Sequence, residues 1–331
     1  MEQSPSLPLI QYITPSLIAV SFQHSLSFYN ITNNTTIKLL TKYHYTDEIL
    51  HFLFLNNNND TSVTQSNRFI ILGKTNKSIE LLTYTTSTSI TNMECTINPI
   101  GTYINSKKLT CAFITQESKD HFLLIADKFG EITIKLITPN DNNESFKQKG
   151  KIVSGHCDSI TSLKLSKDKQ LLLSSDTFGK IKIYQFPNMF NVLSVLLYMN
   201  ESVKYVDFIG NSSNAVIVYT KNNEIDIWSM FDFIKQTSVI VEYNDNEEFI
   251  SIIQCHSKSE FIIETNTRYI IYEANSLTYT ITKVNEILKS TLIKDNEHDT
   301  TKYKLVYDLH GNKCLFNFTA TEGALTNIKQ I

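Results

Sequence analysis

Short apolar runs alternate with polar turns along most of the chain, and the strands that they predict have a period of two. In each unit an apolar run leads into a turn rich in Asn, Asp, Ser, Thr or Gly, and an alternating strand follows. Successive side chains of a strand point to opposite faces, so this pattern is typical of strands with a buried face. The clearest copies are FIILGKTNKSIELL from Phe69, FLLIADKFGEITIKL from Phe122, LLLSSDTFGKIKIY from Leu171 and AVIVYTKNNEIDIW from Ala215.

This unit recurs seven times at a nearly regular spacing. The first inward-facing residues after the turns lie 44 to 53 positions apart, at Leu26, Ile79, Ile132, Ile181, Ile225, Tyr269 and Cys314. A four-stranded blade of the WD type takes roughly 40–45 residues, and longer spacings accommodate loop insertions. Seven blades close into a propeller, which leaves only short strand edges exposed. The chain is therefore predicted to be all-β, a seven-bladed β-propeller of degenerate WD repeats, with residues 1–331 as one domain.

Two residues stand at characteristic positions of such a repeat. His156, in SGHCDSITSLKL, follows a glycine just before the strand predicted to be innermost in its blade. A buried imidazole there is expected to bond within the blade, because buried polar side chains are nearly always hydrogen-bonded. Trp228 is the only tryptophan, and Tyr184, Tyr272 or Leu82 takes its place in other blades. We predict structural roles for His156 and Trp228.

Charge and cysteine usage limit the classes of partner and compartment. The chain has 30 basic and 33 acidic residues and a net charge of −3, so only a local patch could bind nucleic acid. Five scattered cysteines without a CxxC motif predict reduced thiols in the cytosol or nucleus. The N-terminus lacks the features of a signal peptide, and no apolar run approaches the length of a membrane span.

Motifs for catalysis and metal binding do not occur in the sequence. LGKTNKS, from Leu72 to Ser78, resembles a phosphate-binding loop, but Arg68 stands where that motif requires a glycine. The same segment aligns with a blade turn. GxSxG, HExxH, GxGxxG and EF-hand patterns are missing, and the histidines lack metal-ligand spacing. We therefore expect no catalytic residue, no cofactor and no metal.

Two stretches between Ile104 and Phe190 resemble a particular family. The first contains the basic pair Lys107–Lys108 and the run ADKFGE, Ala126–Glu131. The second is SGHCDSITSLKLSKDKQLLLSSDTFGKIKIYQFPNMF, which ends in the run Phe186–Phe190. Together they resemble the WD-repeat, non-catalytic subunit of the tRNA guanine-N7 methyltransferase. That family carries a basic pair, an ADKFGD-like turn, a Gly-His strand, a (S/A)DRDE-x-I-K turn and often Tyr-Pro-x-x-Phe.

The resemblance implies a scaffold that holds a SAM-dependent tRNA (guanine-N7)-methyltransferase catalytic subunit in an active shape. The family's DRDE turn faces that partner, which implies partner-binding roles for Asp176 and Lys182, with Lys180 and Lys128 as outer candidates. Charged residues on a rigid blade turn suit docking, although solvated strand residues would look the same in sequence. The chain departs from the family pattern at Thr177-Phe178-Gly179, where Arg-Asp-Glu is expected.

A further basic element, SFKQKGK, precedes the Gly-His strand. Its lysines, Lys147, Lys149 and Lys151, are candidates for an RNA contact, because a lysine can bind phosphate as a point charge. A solvated loop is the alternative interpretation. By resemblance, tRNA would be bound through the complex, no membrane would be involved, and the protein would be found in the nucleus and also in the cytoplasm.

Two other functions stay open at the level of sequence. The chain could be a general WD-repeat scaffold of another complex, which the missing Arg-Asp-Glu favours. It could also be a propeller enzyme that gathers titratable residues from several blades, although no motif supports that hypothesis.

Overall fold

The computed structural model describes most of the chain. The described residues are 8–32, 36–55, 64–75, 77–88, 93–117, 120–138, 146, 150–187, 192–198, 202–210, 212–255, 259–292, 301–308, 310–319 and 324–330. They form strands β1–β27 and a short helix, α1, at Lys289–Leu292. The strands make seven antiparallel sheets, so the predicted all-β, seven-bladed β-propeller fold is confirmed.

Each sheet is a meander whose strands pair in chain order. The first three blades consist of β1 (Leu9–Thr14), β2 (Leu17–Phe22), β3 (Ser25–Thr32) and β4 (Thr36–His44); β5 (Ile49–Leu55), β6 (Thr64–Gly73), β7 (Ser78–Thr88) and β8 (Met93–Ile104); and β9 (Leu109–Glu117), β10 (Asp120–Asp127), β11 (Glu131–Ile137) and β12 (Lys151–Gly155).

Three further blades have four strands each, and the seventh has three in the described part of the chain. They consist of β13 (Ile160–Leu165), β14 (Leu171–Asp176), β15 (Lys180–Gln185) and β16 (Val192–Leu197); β17 (Val203–Phe208), β18 (Ala215–Thr220), β19 (Glu224–Ser229) and β20 (Lys235–Ile240); β21 (Phe249–Gln254), β22 (Glu260–Thr265), β23 (Arg268–Asn275) and β24 (Thr280–Leu288); and β25 (Thr301–Tyr307), β26 (Lys313–Thr319) and β27 (Leu325–Gln330).

The seven inward-facing residues that defined the repeat occupy one structural position. Each is the second residue of the third strand of its blade, or of β26 in the seventh blade, and all seven are buried. The LGKTNKS segment contains the turn between β6 and β7, as its alignment with the other turns indicated. The period-two pattern therefore identified both the strands and their buried face.

The chain divides into two compact units, which we describe separately. The first unit contains blades one, two, three and seven, and the second contains blades four, five and six. The assignment of residues 1–331 to a single domain stays a prediction. No helix in the described ranges is long and apolar enough to cross a membrane.

Neighbouring blades in each unit share layers of apolar side chains. In the first unit, Phe28 of β3 packs against Phe54 and Phe69 of the second blade, with ring centroids 6.0 and 5.7 Å apart. In the second unit, Leu173 and Ile183 of the fourth blade share a core cluster with residues of the fifth. Full burial of one such side chain is worth about 1.5–3 kcal/mol, so these layers stabilise the blades that carry the turns described below.

Candidate partner-docking site

The fourth-blade turn, defined as Asp176–Lys180, connects β14 to β15 and is fixed by its own hydrogen bonds. One carboxylate oxygen of Asp176 accepts bonds from the backbone N–H groups of Phe178 and Lys180, at 3.0 and 2.9 Å. Gly179 has a φ of 81°, which glycine adopts without the penalty of a Cβ. The N–H of Thr177 also donates to the carbonyl of Ser159, at 3.0 Å. The turn is therefore a rigid support for the side chains that it presents.

A buried network beneath this turn includes His156. Its Nδ1 lies 2.8 Å from Oδ2 of Asp176, and its Nε2 lies 2.6 Å from Oγ of Ser174. Burial lowers the pKa of His156, and Lys182 and Lys180 act in the same direction, while Asp176 opposes them. The neutral ring therefore donates from Nδ1 to the carboxylate and accepts from the Ser174 hydroxyl at Nε2. This geometry is compatible with a structural role for His156, which stays a prediction.

The position of Asp176 corrects part of the sequence prediction. A role in docking required its carboxylate to face a partner, but Asp176 is only 2% exposed. Its two oxygens are occupied by His156 and by the backbone of the turn. A carboxylate bound in this way holds the turn and the imidazole in place, and it presents no free oxygen at the surface. The predicted direct contact between this carboxylate and a partner does not fit its burial.

Lys180, the last residue of the turn, and Lys182 lie on one face of β15. Lys180 and Lys182 are half-buried and alternate with Ile181 and Ile183, which are fully buried. Partial burial lowers the pKa of Lys182, and the charge of Lys180 adds to that effect. Two like charges at alternating positions of one strand create a local positive potential on a chain whose net charge is negative.

Phe178, which the sequence prediction did not select, is exposed at the fourth-blade turn. Its side chain is 72% exposed, although the residue is large and apolar. The sequence contained one signal for it. The run Asp-x-Phe-Gly occurs twice, beginning at Asp127 and at Asp176, so the phenylalanine belongs to a repeated turn and not to the core pattern.

The third-blade turn, Asp127–Glu131, has the same skeleton in the first unit. Asp127 accepts from the N–H groups of Phe129 and Glu131, at 2.8 and 3.1 Å, and Gly130 has a φ of 86°. Here the aromatic ring has cationic neighbours. Lys107 Nζ and Lys128 Nζ lie 5.3 and 5.0 Å from the ring centroid of Phe129, which is 55% exposed. The predicted docking candidate Lys128 thus contacts a ring of its own turn.

The Gly-His pair itself has a steric explanation. Gly155, the last residue of β12, pairs with Glu131 in the third blade. A Cβ on Gly155 would lie 2.3 Å from the carbonyl oxygen of Gly130, which is closer than any side chain can approach. Only glycine therefore fits between this strand and the third-blade turn.

Trp228 belongs to a polar network in the fifth blade. Its Nε1–H donates to the hydroxyl of Tyr198, and that hydroxyl donates to Oδ2 of Asp226 at 2.7 Å. Asp226 is completely buried, and Lys235 Nζ lies 3.5 Å from the same oxygen. The indole N–H thus has a hydrogen-bond partner within the protein, which is compatible with the predicted structural role.

The remaining predicted residues lie in or beside parts of the chain that are not described. Lys151 is exposed at the start of β12 in the first unit. Lys147 and Lys149 fall outside the described residues, as does Phe190 of the FPNMF run. Within the described residues, no group of three or more His, Cys, Asp or Glu side chains could hold a metal ion.

Comparison with known proteins supports the repeat and fold assignments. No family model matches the chain. It is 24% identical over 266 residues to the "tRNA (guanine-N(7)-)-methyltransferase non-catalytic subunit wdr4" of Dictyostelium discoideum, which covers 76% of this chain and 52% of that protein. It is 30% identical over 171 residues to the "Putative serine/threonine-protein kinase VPS15" of Komagataella pastoris, over 49% of this chain and 12% of that protein.

The chain thus spans about half the length of the first of these relatives and a smaller share of the second. A chain in a crystal structure of the mitotic checkpoint complex matches with a TM-score of 0.63 and 14% identity, over 98% of this chain and 89% of that one. At this identity the structural match supports the fold alone. The comparisons and the seven blades together support a WD-repeat protein with a β-propeller fold.

Proposed function

We propose that the chain is the non-catalytic scaffold subunit of a methyltransferase that forms 7-methylguanosine in tRNA. The similarity to the Dictyostelium protein of that description supports the proposal over 76% of the chain. The motifs of the third and fourth blades support it independently, because they follow the order of the family's motifs. The chain provides no catalytic residue in this proposal, and the partner contributes the SAM site and the chemistry.

The observation that carries the proposal is the fourth-blade turn with Lys180 and Lys182 beside it. Lys182 matches the last lysine of the family's partner-facing turn, and it lies on a strand whose position is fixed by the buried His156–Asp176 pair. A docking surface on a rigid support loses little conformational entropy when a partner binds. It can therefore stabilise the active conformation of the partner by binding that conformation preferentially.

Contacts with tRNA are a separate part of the proposal. Lys151 is exposed and lies immediately after the segment that contains Lys147 and Lys149. We assign these lysines to RNA phosphate, and we assign the complex to the nucleus. Because the chain has a net charge of −3, we expect the catalytic partner to contribute most of the affinity for tRNA.

Affinity purification from cells that naturally produce the protein tests the proposal. The wild-type chain should recover a SAM-dependent methyltransferase. The variant Lys182→Glu should lose it, because the proposal places an acidic surface of the partner opposite Lys182 and the reversed charge would repel that surface. The matched control is Lys221→Glu, which changes an exposed lysine in the equivalent turn of the fifth blade. Thermal unfolding of all three proteins shows whether each variant is folded.

A general WD-repeat scaffold of another complex is the second candidate function. The similarity to VPS15 and the replacement of Arg-Asp-Glu by Thr177-Phe178-Gly179 favour it. Recovery of a reproducible complex that contains no methyltransferase would support this candidate and would contradict the tRNA proposal.

A further inference from the structure

We infer that Phe178 is the central residue of the docking site. Its ring would insert into an apolar pocket of a protein partner, and carboxylates would border that pocket. This inference rests on the proposed function and specifies the contact that would replace the family's Arg-Asp-Glu. In this inference the docking site has an apolar centre, Phe178, with the two lysines on one side. The sequence alone predicted a docking site made of charged residues.

The first observation is that the ring is exposed on a turn whose backbone is fixed by hydrogen bonds. Phe178 is 72% exposed, and both of its neighbours are held in place. The hydroxyl of Thr177 donates to Asp158 at 2.5 Å, and the carbonyl of Gly179 accepts from the N–H of Tyr198 at 3.0 Å. Together with the two N–H bonds to Asp176, these contacts fix the backbone on both sides of the ring.

Such an arrangement is favourable for binding. Exposed apolar residues are common on protein surfaces and usually have no binding role, so exposure alone would not support a site. A large aromatic side chain on a backbone that is already ordered is different, because burying its ring adds apolar contact without the entropy cost of ordering a loop. Aromatic residues are enriched in the buried centres of protein interfaces for this reason.

The second observation is the difference from the equivalent ring in the third blade. Phe129 is contacted by two lysine ammonium groups, whereas the described residues provide no aromatic or cationic contact for the Phe178 ring. The backbone geometry of the two turns is the same, so the skeleton does not explain the difference. The Phe178 ring is the one left available for a partner.

The third observation is the charge next to the ring, which indicates the chemistry of the partner. Lys180 and Lys182 follow Phe178 on one face of β15, and Val195, directly opposite Lys182 on β16, is 40% exposed. On the other side of the turn, Asp158 bonds to Thr177. A complementary surface therefore has an apolar pocket for Phe178 and carboxylates facing the two lysines. The uneven charge would set the orientation of the partner more than its affinity.

The experiment measures binding of the purified chain to the methyltransferase subunit recovered in the purification described above. We expect Phe178→Ala to weaken binding about 30-fold or more, as for a residue at the centre of an interface, and Phe178→Leu to restore part of the affinity. The matched control, Phe129→Ala, changes the equivalent ring and should bind within about threefold of wild type, a difference that corresponds to a peripheral contact.

Salt separates the two kinds of contact. The loss caused by Lys182→Glu should shrink as salt is raised, because salt screens exposed charges, whereas the loss caused by Phe178→Ala should persist. If Phe178→Ala binds the methyltransferase like wild type while Lys182→Glu does not, the inference about Phe178 is wrong and the proposed function stands. If the wild-type chain recovers no methyltransferase, the proposed function fails and this inference fails with it.

A nucleic-acid role for the ring gives a different result. Exposed aromatic rings can also stack on unpaired bases. Binding of total tRNA from the same cells is therefore measured with the same variants in parallel. Weaker tRNA binding by Phe178→Ala, with unchanged affinity for the methyltransferase, would assign the ring to RNA and overturn the inference.

Discussion

The third-blade and fourth-blade turns have one backbone and two different surfaces. In both, an aspartate side chain accepts two N–H groups of its own turn, and a glycine with a φ above 80° follows an exposed phenylalanine. In the third blade the phenylalanine contacts Lys107, which precedes β9, and Lys128 of its own turn. In the fourth blade the ring is more exposed, and the aspartate is tied to a buried histidine.

The difference separates the residues that form the backbone of a blade turn from the side chains that the turn exposes to solvent. The Asp-x-Phe-Gly skeleton recurs because it closes the turn, and it carries no specificity by itself. In the proposed function, specificity comes from the side chains that the skeleton leaves accessible.

Replacing His156 should have the largest effect on stability. His156→Ala removes the imidazole that bonds to Oδ2 of the buried Asp176 and to the Ser174 hydroxyl, so we expect a loss of about 3 kcal/mol in the free energy of unfolding. Asn105 stands at the equivalent position before the third blade and makes one side-chain bond, to the carbonyl of Lys107. Asn105→Ala should cost about 1 kcal/mol or less, as for a single hydrogen bond. Urea unfolding measures both, and equal losses would contradict the comparison.

Acid should weaken the fourth blade through the same residue. Burial lowers the pKa of His156 below its ordinary value of 6.5, so the folded state keeps the ring neutral while the unfolded chain takes up a proton. The contribution of His156 is therefore complete above pH 6.5 and decreases as the pH falls below that value. We expect the stability difference between wild type and His156→Gln to shrink between pH 8 and pH 5 in urea titrations. A difference that grows toward low pH would show that the folded state prefers the charged ring.

Substituting the two turn glycines should have equal effects. Gly130→Ala and Gly179→Ala each force a Cβ into a left-handed conformation, at φ values of 86° and 81°. We expect each change to cost about 1 kcal/mol in the free energy of unfolding. Thermal or urea unfolding of the two variants is the measurement. Costs that differ by more than about 1 kcal/mol, the size of the expected effect itself, would show that the two backbones are not equivalent.

Replacing either phenylalanine should change the free energy of unfolding only slightly. Phe129→Ala removes a ring that two lysines contact, and such cation–π contacts at exposed sites are worth about 0.5–1 kcal/mol. Phe178→Ala removes a ring that is mostly in solvent, so the unfolding free energy should stay within about 0.5 kcal/mol of wild type, as for other surface substitutions. A large destabilisation by Phe178→Ala would mean that the ring supports the fold and is not held for a partner.

The sequence predicted the fold well because the fold depends on local patterns. The period-two alternation identified the strands, and the spacing from Leu26 to Cys314 identified seven blades, each with its inward-facing residue buried. The alternation is visible within a few residues, and the spacing of the repeats is read directly from sequence position. The fold class could therefore be derived without any knowledge of long-range contacts.

The candidate site was only partly predictable, because its details depend on contacts between distant residues. Lys180 and Lys182 were assigned to the correct alternating strand. The burial of Asp176 follows from its bond to His156, 20 positions earlier in the chain, which the turn sequence does not reveal. The exposure of Phe178 was missed because a hydrophobicity pattern counts every phenylalanine as a core residue.

The most direct test of the central claim is the amount of 7-methylguanosine in tRNA from cells that naturally produce this protein, measured by mass spectrometry of digested nucleosides. Depletion of the chain should lower that amount, expression of the wild-type chain should restore it, and expression of Lys182→Glu should not. An unchanged 7-methylguanosine content after complete depletion would contradict the account.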